Sequence, residues 1–322
     1  MKKILMLISC LLLALAITGC GGDADKKTDD GQVTIAYPAT MQAKGFKEPL
    51  VLKQRPQRVV SLALPPVLTL EQLGVTQVGV PKTGIMHWPD SLKNVTQFSV
   101  AMKDNFDIES VVALQPDLVM VGYYARDKYG KLLEQQGIPV YYVDGGPTMD
   151  YQSLKELTFA LIDAFGRDSE AGKKIADRFT KLEERMEAKR AVNKGKTVMV
   201  LQSAPPRHFI QTKEGTLGSM LELLGYTNVY SNDKSRMVML DKEQAISYEP
   251  DVLVCVGAAA KPEEHQKVME EDFAASPEYW QQIKAVRDGH IVYLSNKYVV
   301  NTGIDIVDNI NQLMDIMDAQ KL

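Results

Sequence analysis

The strongest constraint on this chain is that part of it occurs twice. Asp107-Ile108-Glu109-Ser110-Val111-Val112-Ala113-Leu114-Gln115-Pro116-Asp117-Leu118-Val119 and Asp241-Lys242-Glu243-Gln244-Ala245-Ile246-Ser247-Tyr248-Glu249-Pro250-Asp251-Val252-Leu253 match at a constant offset of 134. Each copy reads as a short helix with an acid in its first turn, where the positive helix end favours it, then a Pro-Asp break that leads into a buried strand. Two such units imply two structurally duplicate halves. Around them, short Val/Ile/Leu-rich runs alternate with helical stretches, at 58–62, 77–80, 117–121 and 139–143 and again at 197–202, 208–212, 251–256 and 290–294. Apolar runs of four to six residues separated by segments of 3.6 period predict an α/β fold with mainly parallel sheets.

Between the two sets, residues 169–192 contain no Pro and only Gly172, with Ile175, Phe179, Leu182 and Met186 spaced on one face. Roughly 24 residues at ~1.5 Å rise make a helix about 36 Å long, enough to bridge two lobes. A surface helix of a single domain fits the same periodicity.

The N-terminus has the layout of a signal peptide. Lys2 and Lys3 precede the apolar run Ile4 to Ile17, followed by Thr18-Gly19-Cys20. That run is too short to span ~30 Å of hydrocarbon as a permanent helix. Ile17-Thr18-Gly19-Cys20 resembles the lipobox of bacterial lipoproteins, which implies lipid modification of Cys20 and cleavage before it. An ordinary secreted protein with a chance Cys is the alternative. Residues 21–32 are polar and Gly-containing and read as a tether, because they hold too little apolar area to order themselves. The expected segments are a leader at 1–19, a lipidated tether at 20–33, a first lobe at 34–150, a helical segment with the interlobe helix at 151–195 and a second lobe at 196–322.

Composition narrows the function. The chain has 322 residues with 37 Lys+Arg against 41 Asp+Glu, and 45% hydrophobic residues, which is ordinary for a globular core. No block of basic residues offers a surface for phosphates, so nucleic acid is not an expected partner. Once the leader is gone only Cys20 and Cys255 remain, and a lipidated Cys20 leaves no structural disulfide; Cys255, in an apolar run, reads as a core residue. None of G-x-S-x-G, H-E-x-x-H, G-x-G-x-x-G or G-x-x-x-x-G-K occurs, so the chain does not read as an enzyme. Lys82-Thr83-Gly84 and Ser231-Asn232-Asp233-Lys234 mimic penicillin-recognising signatures but in reversed order, and both read as turns.

Taken together, these residues resemble the iron-complex, haem and vitamin B12 substrate-binding lipoproteins of ABC importers, whose two Rossmann-like lobes are joined by one long rigid helix in the class III periplasmic-binding-protein manner. The resemblance rests on Arg55-Pro56-Gln57-Arg58-Val59-Val60-Ser61-Leu62, the motif around Glu109 and its copy around Glu243, the long helix preceded by Gly166-Arg167, and the last-strand segment Ala285 to Leu294. It implies a monomeric, extracytoplasmic, lipid-anchored protein that works with a permease dimer and its ATPase subunits. It also implies that Glu109 and Glu243 dock to the permease; simple stabilisation of two helix N-termini is the plainer role for both.

Ligand sites in open α/β sheets lie beyond the carboxyl ends of the strands. That selects loops at 64–66, 82–89, 100–104 and 122–126 in the first half, and at 203–208, 234–239, 257–262 and 295–302 in the second. They carry Met86, His87, Trp88, Met102, Tyr123, Tyr124, Arg126, Arg207, His208, Arg236, Met237, Tyr298 and Asn301. This set of soft donors, aromatics and cations suits a flat, apolar, anionic ligand better than a sugar. Arg126, Arg207 and Arg236 are candidates to pair with carboxylates of such a ligand. More narrowly the chain resembles the haem-uptake members, which implies that Met102 ligates the haem iron, a fitting soft axial donor. The histidine that those members place in the second lobe would fall near Ala259, where Gly257-Ala258-Ala259-Ala260 has none. His265, His87 or His208 as substitute, a five-coordinate iron, or a ferric siderophore or corrinoid cargo all stay open. Any metal arrives inside the cargo, and no intrinsic cofactor is expected.

Overall fold

The computed structural model describes residues 31–84, 88–99, 107–144, 149–231, 234–300 and 303–320. The readings placed on residues 1–30, including Cys20, and on Met86, His87, Met102 and Asn301 lie outside the described residues.

The first lobe opens with β1 (Val33–Ile35), α1 (Ala39–Gln42) and β2 (Leu50–Leu52), where β1 and β2 pair antiparallel. It continues through β3 (Val59–Ser61), α2 (Val67–Gln72), β4 (Gln77–Pro81), β5 (Thr96–Phe98), α3 (Ile108–Ala113), β6 (Leu118–Gly122), α4 (Lys131–Gln135) and β7 (Val140–Val143). Its five-stranded sheet has the order β5-β4-β3-β6-β7, with every pairing parallel. Two long helices follow, α5 (Tyr151–Phe165) and α6 (Glu170–Asn193). The second lobe holds β8 (Thr197–Ala204), β9 (Arg207–Gln211), α7 (Thr216–Leu223), β10 (Thr227–Asn228), β11 (Met237–Met239), α8 (Lys242–Ser247), β12 (Val252–Val256), α9 (Pro262–Ala275), α10 (Pro277–Trp280), α11 (Lys284–Arg287), β13 (Ile291–Leu294) and α12 (Ile306–Asp318). Its sheet order is β11-β9-β8-β12-β13, with β10 beside the start of β8; β8, β10, β12 and β13 pair parallel, while β9 and β11 run antiparallel.

All eight apolar runs are strands, with bounds shifted by up to two residues. β6 and β12 are buried at every position, the pattern of central strands covered by helices on both faces. β1, β2, β5, β10 and β11 were not anticipated. They are two or three residues long and lie at sheet edges or in the separate hairpin, where no apolar run is required.

The duplication extends to the backbone. Asp107 caps α3 by accepting from the Ser110 N–H, and Asp241 caps α8 by accepting from the Gln244 N–H. Gln115 and Glu249, again 134 apart, are the non-glycine residues with positive φ among those described, at 48° and 41°. The Pro-Asp break then ties the incoming strand to its neighbour. Asp117 accepts from the N–H groups of Gln57 and Arg58 ahead of β3. Asp251 accepts from the N–H and hydroxyl of Thr197 at the start of β8.

Helix α6 is capped by Ser169, whose hydroxyl accepts from the Gly172 N–H, and Ile175, Phe179, Leu182 and Met186 are all buried. Phe179 packs on Phe159 and Tyr151 of α5 with ring centroids 5.6 and 6.1 Å apart. Its polar side meets α12, through Arg178 with Asp308 at 3.1 Å, Arg185 with Asp315, and Lys189 with Asp318 at 2.5 Å. Arg178 also reaches the Gln72 amide oxygen at the end of α2, 3.3 Å away. One continuous apolar core runs from Val60 of the first sheet past Phe179 to Val200 of the second. α6 is therefore the shared spine of both lobes, which decides against a surface helix of one domain.

The lobes also meet at the carboxyl ends of their strands. Gly303, after β13, has φ +132°, and a Cβ there would sit 2.6 Å from the Pro65 carbonyl oxygen after β3. Both the backbone angle and the close approach require glycine at that contact.

Candidate ligand cleft and docking face

In each lobe a short helix runs antiparallel to the strand it feeds, so the N-termini of α3 and α8 turn toward the side on which the strands end. Glu109 and Glu243 sit in those first turns, both exposed. The helix ends are satisfied by Asp107 and Asp241, and neither glutamate side chain makes a hydrogen bond or ion pair among the described residues. Hydrogen bonds from the Ser110 hydroxyl and N–H hold the Asp107 carboxyl below the usual carboxylate range, which marks it as the cap.

The loops at the strand ends distribute the other candidates unevenly. Tyr123 and Tyr124 form the 3-10 turn after β6, edge to face at 6.3 Å, and the Lys44 ammonium lies 5.1 Å over the Tyr123 ring. Tyr124 is 43% exposed, with its hydroxyl pKa raised by burial of the remainder. Arg126 is exposed at its tip but stacks over the Phe46 ring at 4.9 Å and the Tyr142 ring at 5.7 Å. Arg207 is exposed at the start of β9, just after the cis Pro205-Pro206 turn, and Arg236 is exposed before β11. Tyr123, Tyr124, Arg126 and Arg207 stand on the carboxyl-end side of the two sheets with surface available to a ligand. Arg236 does not: Met237 pairs with Gln211 at the end of β9, and the Thr212 N–H donates to the Arg236 carbonyl, so Arg236 stands at the amino-end side of the second sheet, which corrects its reading as a cleft residue.

Two further candidates are placed elsewhere. Ser203 and His208 are paired directly across the β8–β9 hairpin, so their side chains share one face of the sheet. That is the face covered by α9 and α10. The His208 Nδ1 meets the Ser203 hydroxyl, its Nε2 lies 3.3 Å from the Asp272 carboxylate, and its ring stands edge-on to Trp280 at 5.4 Å. Burial lowers its pKa, opposed by Asp272 and reinforced by Lys242, so the ring is neutral at pH 7. With Nδ1 held by Ser203 and the ring packed under the helices, His208 is a packing residue, which corrects its reading as a ligand. Tyr298 is 2% exposed and belongs to the main core. Burial, with the charge of Asp315, pushes its hydroxyl up to about 12. It too is corrected from cleft wall to core.

Of the remaining described histidines, His265 is also withdrawn, and His290 is not among the candidates. His265 is 3% exposed beneath Gly257, and His290 precedes β13 at the opposite end of the strand. Among the described residues no group of three or more His, Cys, Asp or Glu is arranged to hold a metal ion. Cys255 is fully buried in β12, and burial raises its thiol pKa.

One feature of the second lobe was not anticipated. The Asn296 N–H donates to the Ala259 carbonyl at 3.0 Å and its side-chain amide to the Ala258 carbonyl at 3.2 Å, stitching together the loops after β12 and β13. A lone Asn in a loop gives no sequence signal for such a clamp.

Residues 59–298 match the family described as periplasmic binding protein. Over 317 residues the chain is 25% identical to the uncharacterized ABC transporter substrate-binding lipoprotein YvrC of Bacillus subtilis, covering 95% of this chain and 94% of that one. It is 23% identical to the petrobactin-binding protein YclQ of the same organism, covering 92% of each. Among solved structures it resembles Staphylococcus aureus IsdE complexed with heme, with a TM-score of 0.61 and 20% identity over 80% of this chain and 98% of that one. Among the described residues no helix is long and apolar enough to cross a membrane.

Proposed function

Because the chain belongs to the periplasmic binding protein family, we propose that it is the substrate-binding lipoprotein of an ABC importer, capturing an iron complex between its lobes and delivering it to a permease. The observation that carries this reading is the pair of exposed glutamates on duplicated helix ends. Capping explains Asp107 and Asp241 but leaves Glu109 and Glu243 without a structural partner, and a carboxylate on each lobe suits two basic pockets on a permease dimer. Binding without turnover also accounts for the shared spine, since α6 and α12 hold the spacing of the two acids. In this reading Cys20 carries the lipid that keeps the protein, as a monomer, at the outer face of the cell membrane, and the ATPase subunits act from the other side.

Haem is the favoured cargo, with Met102 as the iron ligand. Withdrawal of His208 and His265 into the core leaves His87 as the histidine available for a second axial bond, or a five-coordinate iron. Arg207 of the second lobe and Arg126 of the first are the exposed cations on the strand-end side that would receive propionates, with Tyr123 and Tyr124 as aromatic contacts. A ferric siderophore is the alternative, supported by the petrobactin-binding relative, and a corrinoid is the third.

The test is a visible absorption titration of the chain with haemin. A stoichiometric Soret shift that Met102→Ala removes supports haem carriage. Saturable binding of a ferric siderophore or cobalamin without that shift moves the cargo and keeps the transport role. No binding of any of the three refutes the reading.

A further inference from the structure

The loop Gly257-Ala258-Ala259-Ala260-Lys261 follows β12 at the end of the sheet where the lobes meet, and α9 begins immediately after it, with Lys261 at the cap and Pro262 as first helical residue. A histidine one turn into that helix holds the loop's root. A Cβ on Gly257 would lie 2.4 Å from His265 Nδ1 and 2.5 Å from Cε1, so the imidazole fills the place of the missing side chain. The ring is 3% exposed, and its Nε2 is buried with no hydrogen-bond partner. The other end of the loop is held by Asn296, as described above. Ala258 and Ala260 are left exposed as a small-residue floor.

Among the described residues no charged group acts on His265, whose pKa is shifted by burial alone. On α9 itself, Lys261 and Glu264 face each other at the surface, 3.9 Å apart, and Asp272, whose Oδ2 is buried without a hydrogen bond, lies 3.3 Å from His208 Nε2. From β8 and β12 the neighbours are Ser203 and Gly257, both uncharged; β13, which also packs on α9, brings Tyr293, which feels Cys255 and Glu270; and Lys242 of α8 acts on His208.

We propose that His265 is a positioning residue that seats the tri-alanine loop only while its ring is neutral, so that the second lobe's cargo surface loosens in acid. The inference rests on reading this loop as part of the cargo site. A protonated ring would place a second N–H and a full charge where the structure supplies no acceptor, and the accommodating motion lifts the first turn of α9 away from Gly257. Burial already lowers the pKa of His265 from its ordinary value. The seated state is therefore intact above about pH 6.5 and is lost as pH falls through the lower, folded-state value, by up to about tenfold in population per pH unit between the two.

The experiment needs no cargo. The His265 ring is titrated by NMR, and exchange of the Asn296 amide, which donates to Ala259, is followed from pH 7.5 to 5 after correction for intrinsic rates. The expected result is a midpoint below 6.5, with Asn296 protection falling by up to tenfold per pH unit, and flat protection in His265→Phe. A midpoint at or above 6.5, constant protection in the native chain, or an unchanged slope in His265→Phe overturns the proposal. If His265→Phe does not fold, the native titration and exchange decide alone. A haemin arm compares native and His265→Phe affinities at each pH, which cancels the ligand's own protonation. Absence of haemin binding at every pH counts against haem as cargo and leaves the loop measurement standing.

Discussion

The duplicated Pro-Asp break allows one substitution to be compared in two settings of one molecule. In Asp251→Ala the N–H and hydroxyl of Thr197 and the ammonium of Lys284, at 2.9, 3.0 and 3.2 Å, all lose their acceptor. Hydrogen bonds to a carboxylate contribute about 1.5–3 kcal/mol when desolvated. The Asp251 side chain is 37% exposed, so about half that value is appropriate for each of the two Thr197 bonds. The ion pair with Lys284, exposed to a similar degree, adds at most ~1 kcal/mol. The expected loss is about 1.5–4 kcal/mol. Among the described residues Asp117 accepts only from the N–H groups of Gln57 and Arg58, at exposed positions, so Asp117→Ala should cost about 1–2 kcal/mol. Urea denaturation at pH 7 measures both, with a single transition expected because one core runs through both lobes. The pH dependence has a fixed sign. Burial alone would raise the Asp251 pKa, but the Thr197 N–H, Lys284 and the Thr197 hydroxyl outweigh it and hold it below the ordinary value. Its contribution is present above about pH 4 and fades as pH falls through the lower folded value, so native and Asp251→Ala curves should converge in acid. A loss for Asp117→Ala equal to or larger than that for Asp251→Ala, or a gap between the Asp251 curves that widens in acid, refutes this reasoning.

Replacing Glu109 and Glu243 together by Ala should abolish uptake while cargo affinity is unchanged; equal loss of both would sink the docking role. Phe179→Ala opens a hole where α5 meets the spine and should cost ~3–5 kcal/mol, read as a fall in the urea midpoint; a loss under 1 kcal/mol would mean that the site collapses freely. Gln115→Gly and Glu249→Gly remove a left-handed strain of about 1–2 kcal/mol and return ~0.4–1 kcal/mol as unfolded-chain entropy. Each should therefore stabilise by roughly 0.5 kcal/mol, and destabilisation by either would show that its side chain is needed at the break.

The parts of the fold that were legible are those whose sequence pattern is forced by burial on all sides. β6 and β12 read as unbroken apolar runs because helices cover both of their faces, and the stripe from Ile175 to Met186 reads as a helix because α5 and α12 press on it. Thr96-Gln97-Phe98 and Thr227-Asn228 are strands by hydrogen bonding alone at the rim of a sheet, and their composition carries no such demand. The site failed in a different way. The sequence pattern puts His208 in a loop at the strand ends, but it is the second residue of β9, and its side-chain direction is set by its register opposite Ser203, which turns the ring under α9 and α10. A shift of one residue in that register would have sent it to the opposite face. Tyr298 fails similarly, because the turn that contains it folds back on the core.

What was legible in the docking motif follows from counting the acids against the groups they must satisfy. A helix end needs one side-chain acceptor, and in both copies the aspartate supplies it: Asp107 to the Ser110 N–H and Asp241 to the Gln244 N–H. The glutamate two residues later sits in the same first turn but points to solvent, where the helix dipole offers it only ~0.3–1 kcal/mol. Such a gain is available to an acid at either first-turn position and does not select this one twice. The two copies differ freely around it, with Ile108 against Lys242 before the glutamate and Ser110 against Gln244 after it. Local helix chemistry thus accounts for the aspartate in Asp-x-Glu, and it leaves the glutamate free for the permease contact we propose. Separate Glu109→Gln and Glu243→Gln variants, which keep size and lose charge, should therefore leave the urea midpoint within about 0.5 kcal/mol of the native chain while uptake falls.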